Sequence, residues 1–169
     1  VVIAASSVAS HAATATGVVF HDQNANGQRD AGEPGVAEVR VSNGQAVTTT
    51  DEKGRYELPV SDDTTLFVCK PRGWALPTDE LNKPQFFYLH KPAGSPDADF
   101  KYKGVEPTGP LPEQVNFPLT RSKPRDQFKM VMLGDPQPDS KREVRYLGRD
   151  IIAELHNTDA LFGVTLGDI

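Results

Sequence analysis

The sequence predicts a multi-domain chain in which an all-β module precedes the first β-α-β unit of an α/β domain. Between residues 17 and 70, short β-branched runs alternate with turn signals, and no helical period separates them. Ten of the fourteen prolines lie between Pro71 and Pro124, where they favour loops and edge strands. Beyond residue 125, two apolar runs of strand length flank an amphipathic helical pattern, which is the order of a β-α-β unit.

The first fifteen residues are small and mostly apolar, with no acidic residue, lysine or arginine. The triplet 13–15 (Ala-Thr-Ala) fits a small-x-small cleavage pattern, and the triplet 10–12 (Ser-His-Ala) is a second candidate. Residues 1–15 are therefore predicted to be the remnant of a signal peptide, with a disordered terminus as the alternative. We accordingly expect a periplasmic or secreted protein with no transmembrane span, because no run reaches about 20 apolar residues.

The predicted β-module covers residues 16–124, with Pro-rich loops in its second half. Asn43-Gly44 is a strong hairpin signal, and residues 51–54 (Asp-Glu-Lys-Gly) give a second turn. The apolar flanks of Cys69 predict a buried thiol. The strands are predicted, in order, over residues 17–20, 36–42, 45–50, 55–60, 65–70, 87–89 and 115–119.

Residues 22–33, DQNANGQRDAGE, carry the spacing of a calcium-binding loop. Short oxygen-bearing side chains at alternate positions can converge on one hard cation, and Gly27 permits the sharp turn. The alternative is an Asn/Gly-rich turn held by side-chain-to-backbone hydrogen bonds. The candidate calcium ligands are Asp22, Asn24, Asn26, Gln28 through its carbonyl, Asp30 and Glu33.

Residues 125–169 are predicted to begin a second domain. A strand over 128–133 precedes a helix over 140–155, in which Ser140 and Glu143 form a capping box. A second buried strand is predicted over 160–166. Each strand is followed by a Gly-Asp pair, and parallel strands end at the same edge of a sheet. Asp135 and Asp168 are therefore expected in one crevice, where paired carboxylates suit divalent metals.

The β-module resembles the B-type repeats of bacterial surface proteins, which have immunoglobulin-like or transthyretin-like folds. The resemblance rests on the loop at 22–33, on PGVAEVRV at 34–41 and on TDEKGRY at 50–56. It implies a sandwich of that kind.

The Asp135-Pro136-Gln137 block and the later Gly167-Asp168 pair resemble the calcineurin-like metallophosphoesterases, some of which carry an N-terminal β-domain. The resemblance implies a site for two divalent transition metal ions, in which Asp135 is a ligand, Gln137 is a weaker neighbouring ligand, and Asp168 bridges. Gln137 stands where the commoner pattern has histidine, which shifts the preference toward harder metals.

Two functions follow from these observations. The first is secreted two-metal hydrolysis of a small-molecule or surface phosphoester by a longer polypeptide, of which this chain is an inactive N-terminal fragment. The alternative is a calcium-stabilised β-sandwich that serves as a binding or display module at a cell surface. Docking of the β-module on its own catalytic domain stays open. A net charge of −5 and a pI near 5.3 argue against a nucleic-acid partner.

Overall fold

The computed structural model describes residues 13–99 and 103–167. The described chain is mostly β with little helix. Its internal contacts divide it into two compact units, Val1–Pro124 and Arg125–Ile169, each of which is described by itself. The predicted domain limits at 15/16 and 124/125 stay predictions. Residues 1–12 of the predicted leader lie outside the described residues. Among the described residues, no helix is long and apolar enough to cross a membrane.

The first unit contains two four-stranded sheets. One has the strand order β4-β1-β8-β6 and the other the order β3-β2-β5-β7. Neighbouring strands are antiparallel except β1 and β8, which run parallel with Val19 opposite Phe117. The strands are β1 (Ala13–His21), β2 (Arg40–Ser42), β3 (Val47–Thr49), β4 (Arg55–Val60), β5 (Thr64–Val68), β6 (Trp74–Ala75), β7 (Phe87–His90) and β8 (Phe117–Arg121).

Both sheets of the first unit contribute to one hydrophobic core. The strand predicted over 55–60 is confirmed as β4, in which Tyr56, Leu58 and Val60 are buried and the residues between them are exposed. Leu66 in β5 and Leu119 in β8 are fully buried within the same cluster. Alternation with period two puts these side chains on the inner faces, so burial of apolar area holds the sheets together. The likeness to immunoglobulin or transthyretin folds stays a prediction.

Two of the predicted turns of this unit are confirmed. The Asn43 side-chain oxygen accepts the N–H groups of Gln45 and Ala46 at 2.9 and 2.6 Å, which closes the β2–β3 hairpin. The Asp51 carboxylate accepts the N–H groups of Arg55 and Lys53, both at 2.8 Å, and its pKa is lowered, chiefly by the bond from Arg55. Charge-assisted bonds of this kind fix the backbone at the strand entry.

Two details of the sequence prediction are wrong. The strand predicted over 36–42 is shorter, because Glu38 has a φ of 60° and breaks the extended chain before β2. Cys69 is exposed, because it lies one residue beyond β5 and outside its buried alternation. Residues 13–15, the last three of the predicted leader, lie inside β1, where Ala15 is buried and pairs with Leu58; the leader itself stays a prediction.

The second unit pairs β9 (Lys129–Leu133) with β10 (Ala160–Thr165) in parallel, which confirms the predicted β-α-β order. The helix α1 (Lys141–Tyr146) begins at the predicted capping box, because the Ser140 hydroxyl accepts the N–H of Glu143 and the Glu143 carboxylate accepts that of Ser140. The predicted single helix is not regular to its end. It continues as a π-helical turn, Leu147–Ile151, and then as a 3₁₀ turn, Ile152–Leu155.

Candidate functional site

The carboxyl ends of β9 and β10 form the candidate site in the second unit. Leu133 lies opposite Thr165, and the N–H of Leu166 donates to the carbonyl of Leu133 at 2.9 Å. The parallel register therefore continues past both strands and brings Asp135 beside Gly167. Crevices at the carboxyl ends of parallel strands are where open α/β sheets bind their ligands.

The carboxylate of Asp135 lies over the end of β10. Its Oδ1 atom is 3.7 Å from the position that a Cβ atom would take at Gly167. Gly167 has a φ of 152°, which side-chain-bearing residues rarely adopt, so glycine permits this backbone. Asp168, the predicted bridging ligand, lies outside the described residues. Gly167, the first residue of the second Gly-Asp pair, is the described residue nearest to it in the chain.

The segment that carries Asp135 and Gln137 has an unusual backbone. Asp135 has a φ of 44° and Gln137 a φ of 30°, although neither is glycine. Such conformations cost of order 1–3 kcal/mol each and are concentrated at functional sites. Their presence on two of three consecutive residues marks the connection between β9 and α1 as the part of this unit to examine for chemistry.

The donor set fits part of a metal centre. The carboxylate of Asp135 and the side-chain amide oxygen of Gln137 are hard donors, which suit Mg²⁺, Mn²⁺ or Ca²⁺ better than soft metals. Within residues 13–99 and 103–167, no three His, Cys, Asp or Glu side chains are grouped closely enough to hold a metal ion. A metal site at this edge of the sheet therefore stays a prediction, since it needs ligands beyond Asp135 and Gln137, such as the predicted Asp168.

The predicted calcium loop is organised by two buried carboxylates. Asp22, at the end of β1, is 2% exposed and accepts the N–H groups of Asn26 and Gly27 at 3.2 and 2.8 Å. Glu33 is 8% exposed and accepts the N–H groups of Gln23 and Asp30 at 2.8 and 3.0 Å. Two acidic side chains, at the first and twelfth positions of the pattern, thus close the loop from its two ends.

The middle of the loop is held by amide side chains. The Nδ2 atoms of Asn24 and Asn26 both donate to Oδ2 of Asp30, at 2.8 and 2.9 Å. The Asn24 side-chain oxygen accepts the N–H of Asn26 at 3.1 Å, and the Asn26 oxygen accepts that of Gln28 at 2.7 Å. These bonds gather all six candidate residues in one loop. They are also the bonds of an Asn/Gly-rich turn, so calcium binding stays a prediction.

Sequence reasoning missed a cluster of arginines around Tyr146. The guanidinium carbon atoms of Arg142 and Arg149 each lie 5.3 Å from the centre of the Tyr146 ring. Arg145 lines the same concave surface. The amphipathic pattern predicted only a helix here. The spacing of these arginines, i, i+3 and i+7, with a tyrosine between the second and the third, is the signal that could have predicted the cluster.

A comparison with known proteins bears on the first unit. Residues 23–105 match the family model described as the N terminal of calcineurin-like phosphoesterase. The comparison with curated proteins gives no relative of this chain. The matched segment begins within the loop at 22–33 and precedes both Gly-Asp pairs, so it is independent of the residues that suggested the two-metal site. The match therefore supports the calcineurin-like phosphoesterase family for this chain.

Proposed function

We propose that this chain is the N-terminal part of a secreted, metal-dependent phosphoesterase. Two independent observations on the same chain support this proposal. The β-rich unit matches the N-terminal region of calcineurin-like phosphoesterases. Downstream of it, the parallel register of β9 and β10 brings Asp135 beside Gly167, the first residue of the second Gly-Asp pair. This family indicates a hydrolase with divalent metals and small-molecule substrates.

The chain's own residues would act by holding metal ions at the sheet edge. Asp135 would bind one ion through its carboxylate, and Gln137 would add its amide oxygen as a weaker ligand. Asp168 would bridge two ions, as the family resemblance implies. Bound divalent ions supply charge that lowers the pKa of a water and neutralises phosphate oxygens. The left-handed backbone at Asp135 and Gln137 would keep these donors in place before substrate arrives.

Hydrolysis of a generic aryl phosphate by the full-length polypeptide tests this function. We expect activity that a chelator removes and a divalent metal restores. Asp168→Asn should lower kcat by more than about 100-fold, since even residues that only orient a metal ligand cost 10- to 100-fold. Its β-rich unit should melt as in the wild type. Turnover by this variant at the wild-type rate would contradict the assignment.

The proposal of secretion rests on the leader-like composition of residues 1–15. Because Ala13, Thr14 and Ala15 pair with β4, cleavage after Ala12 would keep β1 whole, whereas cleavage after Ala15 would remove part of it. Mass spectrometry of the exported protein should find Ala13 as the first residue. A mature protein that starts at Thr16 would contradict this choice between the two candidate sites.

The second candidate function is a calcium-stabilised binding or display module. It is favoured by the burial of Asp22 and Glu33 at the two ends of a loop with calcium-type spacing. Titration of the chain with Ca²⁺ after chelation should raise its melting temperature, and Asp30→Asn should weaken that effect. An unchanged melting temperature at millimolar Ca²⁺ would leave the loop as a turn and remove the calcium part of the proposal.

A further inference from the structure

The arginine cluster consists of Arg142, Arg145, Arg149 and the ring of Tyr146, all on the exposed surface of one helical segment. The Nε of Arg142 donates to the Tyr146 hydroxyl oxygen at 2.7 Å, and the Nε of Arg145 donates to the carbonyl of Lys141 at 3.2 Å. The guanidinium groups of Arg142 and Arg145 are thereby anchored at Nε, and their terminal nitrogens stay available to another acceptor. The Tyr146 hydroxyl accepts one bond and keeps its own proton to donate.

The three arginine side chains of the cluster repel one another, because all of them are positively charged. Like charges three and four residues apart on a helix destabilise it, and the shared Tyr146 ring holds two of these cations close together. Among the described residues, Arg149 is the one arginine of the cluster with an acidic partner, Asp150, at 2.6 and 3.0 Å. Within the part of the chain that the structure describes, Arg142 and Arg145 form no ion pair. An anion bound between them would relieve the repulsion.

The cluster faces away from the apolar side of the helix. Val144, Leu147 and Ile151 each follow an arginine of the cluster by two positions. Two residues correspond to about 200° around an α-helix, so within α1 the Val144 side chain lies nearly opposite Arg142. Packing of the apolar side against any further part of the protein would therefore leave the cluster accessible.

We propose that the arginine cluster binds a phosphate group. A guanidinium fork matches the oxygen spacing of carboxylates and phosphates, and one fork already satisfies a carboxylate. Arg142 and Arg145, together with the hydroxyl proton of Tyr146, present more hydrogen-bond donors than a carboxylate can accept. A phosphate dianion has enough oxygens to use both forks and the Tyr146 hydroxyl. This binding needs no metal and no hydrolysis, so it is independent of the proposed phosphoesterase site.

Titration of the ¹⁵N-labelled chain with inorganic pyrophosphate at low salt tests the proposal. We expect saturable shifts of the arginine Nε–H signals, absent from an equivalent titration with chloride. The double variant Arg142→Gln/Arg145→Gln should weaken binding by at least about tenfold, because two charge-assisted contacts are lost. The control Arg40→Gln/Lys103→Gln removes the same charge from exposed positions of the first unit and should change the affinity less than about twofold.

Conservative variants separate fork recognition from charge alone. Arg142→Lys/Arg145→Lys keeps both charges, loses both forks, and should also bind pyrophosphate more weakly. Vesicles of phosphatidylcholine with phosphatidic acid, compared with free pyrophosphate, show whether a lipid or a soluble phosphate is the better source, and binding of either supports the site. Wild-type affinity in the lysine variant, equal losses in the control, or tighter binding of polyglutamate would overturn it.

Discussion

Replacement of Asp22 by alanine should destabilise the first unit substantially. The lost carboxylate accepts the N–H groups of Asn26 and Gly27, at 3.2 and 2.8 Å, and it is 2% exposed. Hydrogen bonds to a charged group contribute about 1.5–3 kcal/mol each. Water can reach the exposed residues 26 and 27 and replaces part of that energy. We therefore expect the free energy of unfolding to fall by about 2–4 kcal/mol.

Urea and thermal unfolding of the 169-residue chain in a chelator measure this change without any contribution from calcium. A loss of 2 kcal/mol should lower the melting temperature by roughly 10 °C for a unit of this size. Asp22→Asn keeps one acceptor oxygen and should cost about half as much. The control Asp62→Ala removes an exposed carboxylate and should stay within about 0.5 kcal/mol of the wild type. If Asp22→Ala matched this control, the buried carboxylate would not organise the loop.

Two further substitutions test the packing of β1 and β4. Gly17→Ala should cost about 3 kcal/mol or more in urea unfolding, because its Cβ would lie 1.8 Å from the Val115 carbonyl oxygen; Gly148→Ala, with nothing within 4 Å, is the control. Tyr56→Phe should cost about 1–2 kcal/mol, because the buried hydroxyl donates to the Val115 carbonyl at 2.6 Å. Burial raises the pKa of Tyr56, so wild-type stability should fall as the pH rises above about 10, and the phenylalanine variant should lose that part of the pH dependence. Unchanged unfolding curves for Gly17→Ala, or an identical alkaline profile for Tyr56→Phe, would refute these assignments.

Local signals in the sequence predicted the strands and turns well. The alternation in β4, the Asn43 turn and the Ser140 capping box each depend on a few neighbouring residues, so the sequence contains what is needed to recognise them. The strand that contains β2 was overestimated, because the alternation of apolar and polar residues continues through Glu38, which has a left-handed backbone and donates its N–H to the Thr50 carbonyl at 3.1 Å. Val36 and Val39, which lie before and after Ala37 and Glu38, are both buried, and a spacing of three residues does not fit the period of two that a strand has.

The candidate site was predictable in outline only. That two Gly-Asp pairs follow parallel strands can be read from the sequence, and the pairing of β9 with β10 bears out that order. The contact of the Asp135 carboxylate with the end of β10 depends on register, which differs by one residue at the bulge between Ala160 and Phe162. The left-handed conformations of Asp135 and Gln137 have no signature in residue type, because neither residue is glycine.

Metal binding and phosphoester hydrolysis by a matched pair of variants test the central claim most directly. In the full-length polypeptide, Asp135→Asn removes a charge from the end of β9, whereas Asp139→Asn removes one from the same connection just before the capping box. The account predicts loss of bound divalent metal and a fall in kcat of more than about 100-fold for Asp135→Asn, with near wild-type values for Asp139→Asn. Equal metal content and equal turnover in the two variants would contradict it.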